Sequence, residues 1–82
     1  MSTISHPIST EKVVRLMNKE NKLVFIVNKK ATKEEIKIDF EKMFKVKVEK
    51  INTLIQKGVK KAYIKLDKGN KAIDVATQLG LI

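Results

Sequence analysis

Lys29, Lys30, Lys33 and Lys37 crowd the entrance of a helix, and their chemistry is narrow. An ammonium group is a compact point charge that donates hydrogen bonds and accepts none, so it suits the oxygens of a phosphate or carboxylate. The helix itself is written in Ala31-Thr32-Lys33-Glu34-Glu35-Ile36-Lys37, where Thr32 and Glu35 stand at capping-box spacing. Backbone N–H groups exposed at such a start add to the pull on an anion. Lys33 and Lys37 lie one turn apart, and like charges so placed repel mildly. Cations gathered in this way point to an anionic ligand, which they would position rather than read. The competing reading is an ordinary solvated lysine face.

Composition bears on that choice. The chain has 82 residues, 18 basic against 9 acidic, a formal charge of +9, with Arg15 the sole basic residue that is not lysine. That excess repels itself in a compact state and favours a polyanionic partner or an acidic membrane surface. The length bounds a single domain, 1–82, near the small end of what folds alone. There is no cysteine, so no disulfide framework or thiolate metal site is expected, and nothing points to secretion. The longest apolar run, 23–27, is too short to cross a bilayer. A cytoplasmic protein without membrane insertion is expected.

Other groups have weaker claims. Lys57, Lys60, Lys61 and Lys65 with Tyr63 make a basic strand carrying one aromatic. A lone outward tyrosine suits cross-strand packing better than a base-stacking platform. Asn52 and Thr53 carry polar side chains that suit either a ribose 2′-OH or a local backbone carbonyl. His6, beside Pro7, has no carboxylate or cysteine at ligand spacing. Glu11 falls in the favourable first turn of a helix. No nucleophile–base pair, phosphate-binding glycine loop or paired carboxylates are present, so neither an enzyme nor a cofactor is expected.

The elements that position these groups follow in order. Residues 1–8 read as an extended polar lead-in, and Ser9 or Thr10 caps a short helix through about residue 18, with Val13, Leu16 and Met17 inward. Residues 22–27 form a strand apolar on both faces. The capped helix follows to about Phe44, with Ile36, Phe40, Met43 and Phe44 as its apolar stripe. The strand 46–53 breaks parity: Val46 and Val48 share one face, Ile51, Thr53 and Ile55 the other, and a bulge near Glu49-Lys50 restores one buried face. A tight turn with Gly58 leads into a strand with Ala62, Ile64 and Leu66 inward. A last helix, 71–79, ends at Gly80, with Leu81 folding back. The expected fold is α+β: a small two-layer α/β plait with a split βαβ (β-α-β-β-α) core, a short N-terminal helix and a three-stranded sheet.

The segments His6-Pro-Ile-Ser-Thr-Glu-Lys12, Phe25-Ile-Val, Ala31 through Lys37, Phe44-Lys-Val-Lys-Val48, Ile51-Asn-Thr53 and Lys60-Lys-Ala-Tyr-Ile-Lys-Leu66 together resemble the large-subunit ribosomal protein L-twenty-three family. The resemblance spans nearly the whole chain, in order and at the family's spacing. It implies a plait that binds large-subunit rRNA at the rim of the polypeptide exit tunnel. It also implies contact with ribosomal protein L-twenty-nine, and a share in the platform for the signal recognition particle and the translocon. The short connection at 56–60 resembles the archaeal or eukaryotic-core type. The RNA-facing residues so implied are His6, Thr10, Lys12, Lys29, Lys30, Thr32, Lys33, Lys37, Asn52, Thr53, Lys57, Lys60 and Lys61, with Glu11 as a docking point for exit-site factors. The alternative is a protein-interaction module that docks through 23–27 or through Leu81-Ile82, its charge serving solubility alone.

Overall fold

In the computed structural model, which describes residues 3–80, seven elements follow in the order β1 (Ile4–Pro7), α1 (Glu11–Glu20), β2 (Lys22–Val27), α2 (Lys33–Phe44), β3 (Val48–Gln56), β4 (Val59–Leu66) and α3 (Ala72–Gln78). The sheet order is β1-β2-β4-β3, and every neighbouring pair is antiparallel. β2 and β3 therefore run parallel with β4 between them, as the split βαβ pattern requires. The α+β class stands, with four strands in place of the expected three. The added strand comes from the supposed lead-in: Ile4 lies opposite Val27 and is 5% exposed. Its four residues end in a proline, which an edge strand tolerates but which hides the strand from a pattern reading.

Opposed residues in a ladder share a face. Leu23, Phe25 and Val27 thus lie with Ile64, Ala62 and Lys60, and with Ile51, Thr53 and Ile55. α2 packs on this face. Ile36 and Phe40 are fully buried, and the Phe25 ring meets Phe40 edge-on with centroids 5.4 Å apart. Phe44 completes the cluster, 4.7 Å from Phe40 and 6.1 Å from Phe25. α2 reaches both sheet edges: Asp39 accepts a hydrogen bond from the Thr3 hydroxyl, and Glu41 Oε2 accepts one from the Val48 N–H at 2.9 Å.

Val24 points to the opposite face and is only 2% exposed. α1 and α3, which pack on β2 and on each other, cover it there with Val13, Met17, Ala72, Val75 and Ala76 buried. The sequence suggests helices on one face in two layers; over β2 the second face is covered as well. That double cover is why β2 carries apolar residues at consecutive positions.

Local signals set most boundaries. Thr32 Oγ1 accepts from the Glu35 N–H at 3.1 Å and Glu35 Oε1 from the Thr32 N–H at 3.0 Å, closing the capping box. Lys57 and Gly58 both have positive φ, 52° and 76°, as a two-residue type I′ hairpin demands. The register shifts between Val48 and Lys50, so the bulge lies where the parity break puts it. Gly80 has φ 74° and ends α3, while Leu81 lies outside the described residues.

Other expectations shift. α1 continues to Glu20, because Asn21 takes the left-handed cap at φ 56°. β3 starts at Val48 rather than 46. Leu16 is half-buried, and Met43 is 50% exposed because α2 turns Phe40 and Phe44, not Met43, onto Phe25. Ile55 is 61% exposed at the hairpin end of the edge strand, where Lys60 stands opposite it.

Asn21 also ties three elements together. Its amide donates to the Asn70 carbonyl at 2.7 Å and to the Leu66 and Asp67 carbonyls at 3.3 and 3.4 Å. Its Oδ1 accepts the Ala72 N–H at 2.7 Å, capping α3 from a distance, since the N-cap residue Lys71 makes no side-chain cap bond.

Two stability predictions follow from this packing. Phe40→Ala should cost about 3–5 kcal/mol and Met43→Ala within about 0.5 kcal/mol, as read by urea unfolding; comparable losses would contradict the face assignment. Asn21→Gly keeps the backbone conformation but orphans its partners, and should cost about 1–3 kcal/mol; an unchanged melting temperature would show the network to be idle.

Candidate nucleic-acid interface

The lysine corner is built by a turn and a hairpin that meet at one end of the sheet. After β2, Asn28 Oδ1 accepts the Lys30 N–H at 2.9 Å and the Asn28 carbonyl accepts the Ala31 N–H at 3.0 Å. This turn leaves Lys29 and Lys30 exposed and buries Ala31. The Lys29 amine extends over the hairpin, 3.4 Å from where a Cβ on Gly58 would stand. Lys57 is exposed in the same turn. Lys60 donates to the Ala31 carbonyl at 2.7 Å, so it holds the helix entrance against β4 while two of its N–H groups stay available. Lys29, Lys30, Thr32, Lys57 and Lys60 therefore come together. The Thr32 hydroxyl oxygen is already engaged as the α2 cap.

Lys33 and Lys37 project along the flank of α2 toward β3. With Lys50 they line a groove of about 190 Å3 that also contains Val48 and Ile51. Glu34 and Glu49 line it too, so three cations face two carboxylates. Among the described residues the ion pairs are Arg15–Glu11 at 3.5 Å and Lys22–Glu20 at 3.1 Å. Among the described residues no carboxylate is paired with a lysine of the corner or the groove.

The remaining candidates lie elsewhere. Thr10 caps α1, accepting the Val13 N–H at 3.3 Å, and Lys12 is exposed in the first turn. Glu11 is 87% exposed along its side chain and paired with Arg15. His6 sits on edge strand β1, its Nδ1 3.0 Å from the Ser5 hydroxyl. In the ladder His6 and Lys61 both flank Ile26, which puts them on one face. Asn52 and Thr53 project to opposite faces of β3, Asn52 beside Tyr63 and Thr53 beside Ala62. They do not form a pair toward one ligand. Tyr63 is half-buried between Val24 and Asn52, in the cross-strand role expected of it. Lys50 is the groove residue that the sequence reading left out; the bulge beside it was its signal.

Among the described residues no helix is long and apolar enough to cross a membrane. A model of the family described as Ribosomal protein L23 matches residues 2–75. Over 80 residues the chain is 48% identical to the large ribosomal subunit protein uL23 of Pyrobaculum aerophilum, covering 96% of this chain and 99% of that one. The matched span takes in all four strands, the capping box and the hairpin as well as the lysine corner. The likeness is thus one of the whole fold, and the chain belongs to the ribosomal protein L23 family, whose members are non-enzymatic components of the ribosome.

Proposed function

We propose that this chain, a constituent of the large ribosomal subunit, binds large-subunit rRNA at the rim of the polypeptide exit tunnel and helps form the docking platform for nascent-chain factors. The observation that carries the RNA contact is the gathering of Lys29, Lys30, Lys57 and Lys60 at one end of the sheet, continued by Lys33 and Lys37, without a carboxylate paired to any of them. Phosphates neutralised there release counterions, which drives binding. Contacts to 2′-OH groups from side chains such as Asn52 and Thr10 then fix register on folded RNA. Family membership supports the tunnel-rim location, the neighbour ribosomal protein L-twenty-nine, and the signal recognition particle and translocon as visiting partners. Glu11, exposed at the start of α1, is the proposed contact for such factors.

The alternative of a docking module working through 23–27 is disfavoured. β2 lies inside the sheet with Leu23, Val24, Phe25 and Val27 no more than 4% exposed. Leu81 and Ile82 lie outside the described residues.

Affinity for large-subunit rRNA should fall steeply with salt. Lys33→Ala and Lys37→Ala should each reduce the slope of log K against log salt by about 0.7–0.9 if each neutralises one phosphate. Equilibrium binding across a salt series reads this directly. Unchanged slopes would move the RNA surface away from α2, and a flat wild-type plot would remove RNA binding altogether.

A further inference from the structure

On the sheet face opposite Phe25, the ladder sets Lys22 of β2, Lys65 of β4 and Lys50 of β3 side by side in one transverse row. Directly opposed residues have Cβ atoms roughly 4.5–5.5 Å apart, and like charges so placed destabilise a sheet. A regular ladder would have avoided this at Lys65. Continued from Val48 opposite Leu66, it would set Glu49 against Lys65, an opposite-charge pair. The bulge replaces Glu49 with Lys50. Its packing cause is plain, since it returns Ile51 to the buried face against Ile64. Among the described residues that charge cost is relieved only at Lys22. Glu20 holds Lys22, but neither Lys50 nor Lys65 has a carboxylate at ion-pair distance among the described residues.

The β3 and β4 members of the row are also accessible. Lys50 is exposed, and Lys65 is half-buried. No described side-chain nitrogen is buried without a partner, so the Lys65 amine meets solvent. The next rows on this face, Val24–Tyr63–Asn52 and Ile26–Lys61–Leu54, contain no carboxylate. Lys50 further lines the groove that holds Lys33 and Lys37. β3 is the last strand of the sheet, so nothing in the sheet lies beyond that edge. The lysines therefore run continuously from α2, round the open edge at Lys50, to Lys65 and Lys22 on the far face.

We propose that Lys65 and Lys50 of this row form a second phosphate-binding surface, and that one RNA backbone segment passes round the open β3 edge from the α2 groove onto the far face of the sheet. The proposal rests on the RNA-binding reading above and extends it to a surface that reading does not include. RNA suits the edge better than an added protein strand does. Each nucleotide brings a negative charge to unpaired ammonium groups on both sides of β3, whereas a strand would meet them with neutral backbone.

Binding to full-length large-subunit rRNA over a salt series tests the assignment. Lys50→Ala with Lys65→Ala should lower the slope of log K against log salt by about 1.4–1.8, corresponding to two phosphates. The exposed pair Lys19→Ala with Lys42→Ala should leave the slope unchanged. Lys50→Glu places an acid opposite Lys65, so it should raise the melting temperature of the free protein while weakening RNA binding more than Lys50→Ala does. The proposal is overturned by an unaltered slope in the Lys50/Lys65 variant beside a steep wild-type slope. It is equally overturned if the control pair lowers the slope as much, or if Lys50→Glu binds RNA like wild type while its circular dichroism shows it folded. A flat wild-type slope would overturn the RNA reading itself, and this extension with it.

Discussion

The contact of Phe25 with Phe40 and Phe44 seats α2 on the sheet, and the placement of the α2 lysines beside the hairpin and β3 depends on that seat. Aromatic side chains bury large areas and prefer edge-on or tilted contacts, which restrict how a helix can lie. With Phe40 fully buried against Phe25, the start of α2 falls beside β4, where Lys60 can reach the Ala31 carbonyl. The same seat lays Lys33 and Lys37 along β3 and brings Glu41 to the Val48 N–H, which would otherwise be an open edge donor. A helix shifted by one turn would separate the lysines of α2 from those of the hairpin and lose the groove between them.

Charge is the second constraint. A domain of 82 residues carrying +9 has little core with which to offset self-repulsion. Ten of its 17 lysines lie at the corner, in the groove and across the sheet, and the two ion pairs among the described residues lie outside the corner and groove. Such a charge excess opposes compaction of the free protein and suits the proposed hold on RNA, the balance expected of a component that works inside a ribonucleoprotein. The lysines at the β3 edge also deter strand-to-strand association by the free protein.

Polar groups close the opposite end. Asn21 joins the end of α1, the end of β4 and the start of α3 through one side chain, using both its donor and its acceptor capacity. Asparagine suits the position twice over, because it tolerates the left-handed backbone at φ 56° and carries the amide that the loop carbonyls need. The apolar layers on the two faces of β2 are thereby held in register by hydrogen bonds at one end and by the capping box and hairpin at the other.

What the sequence determined by itself is whatever depends on near neighbours in the chain. Thr32 and Glu35 announce a helix start, Gly58 a tight turn, 59–66 a half-buried strand, and the parity break a bulge, because each signal lies within a few residues. Together with the order of elements they made the split βαβ core and the lysine corner legible. Tertiary structure alone decided which faces are covered and which residues stand opposite one another. Ile4–Pro7 becomes a strand only because β2 offers it a free edge, and Met43 is left exposed only because Phe25 selects the neighbouring side chains. Asn52 and Thr53 point apart by strand parity, but which of them looks outward depends on where α2 lies. The row of Lys22, Lys65 and Lys50 exists only through pairing between strands distant in sequence, and pairing of that kind is set by the burial of Ile51 and Ile64 rather than by any local preference of the lysines themselves.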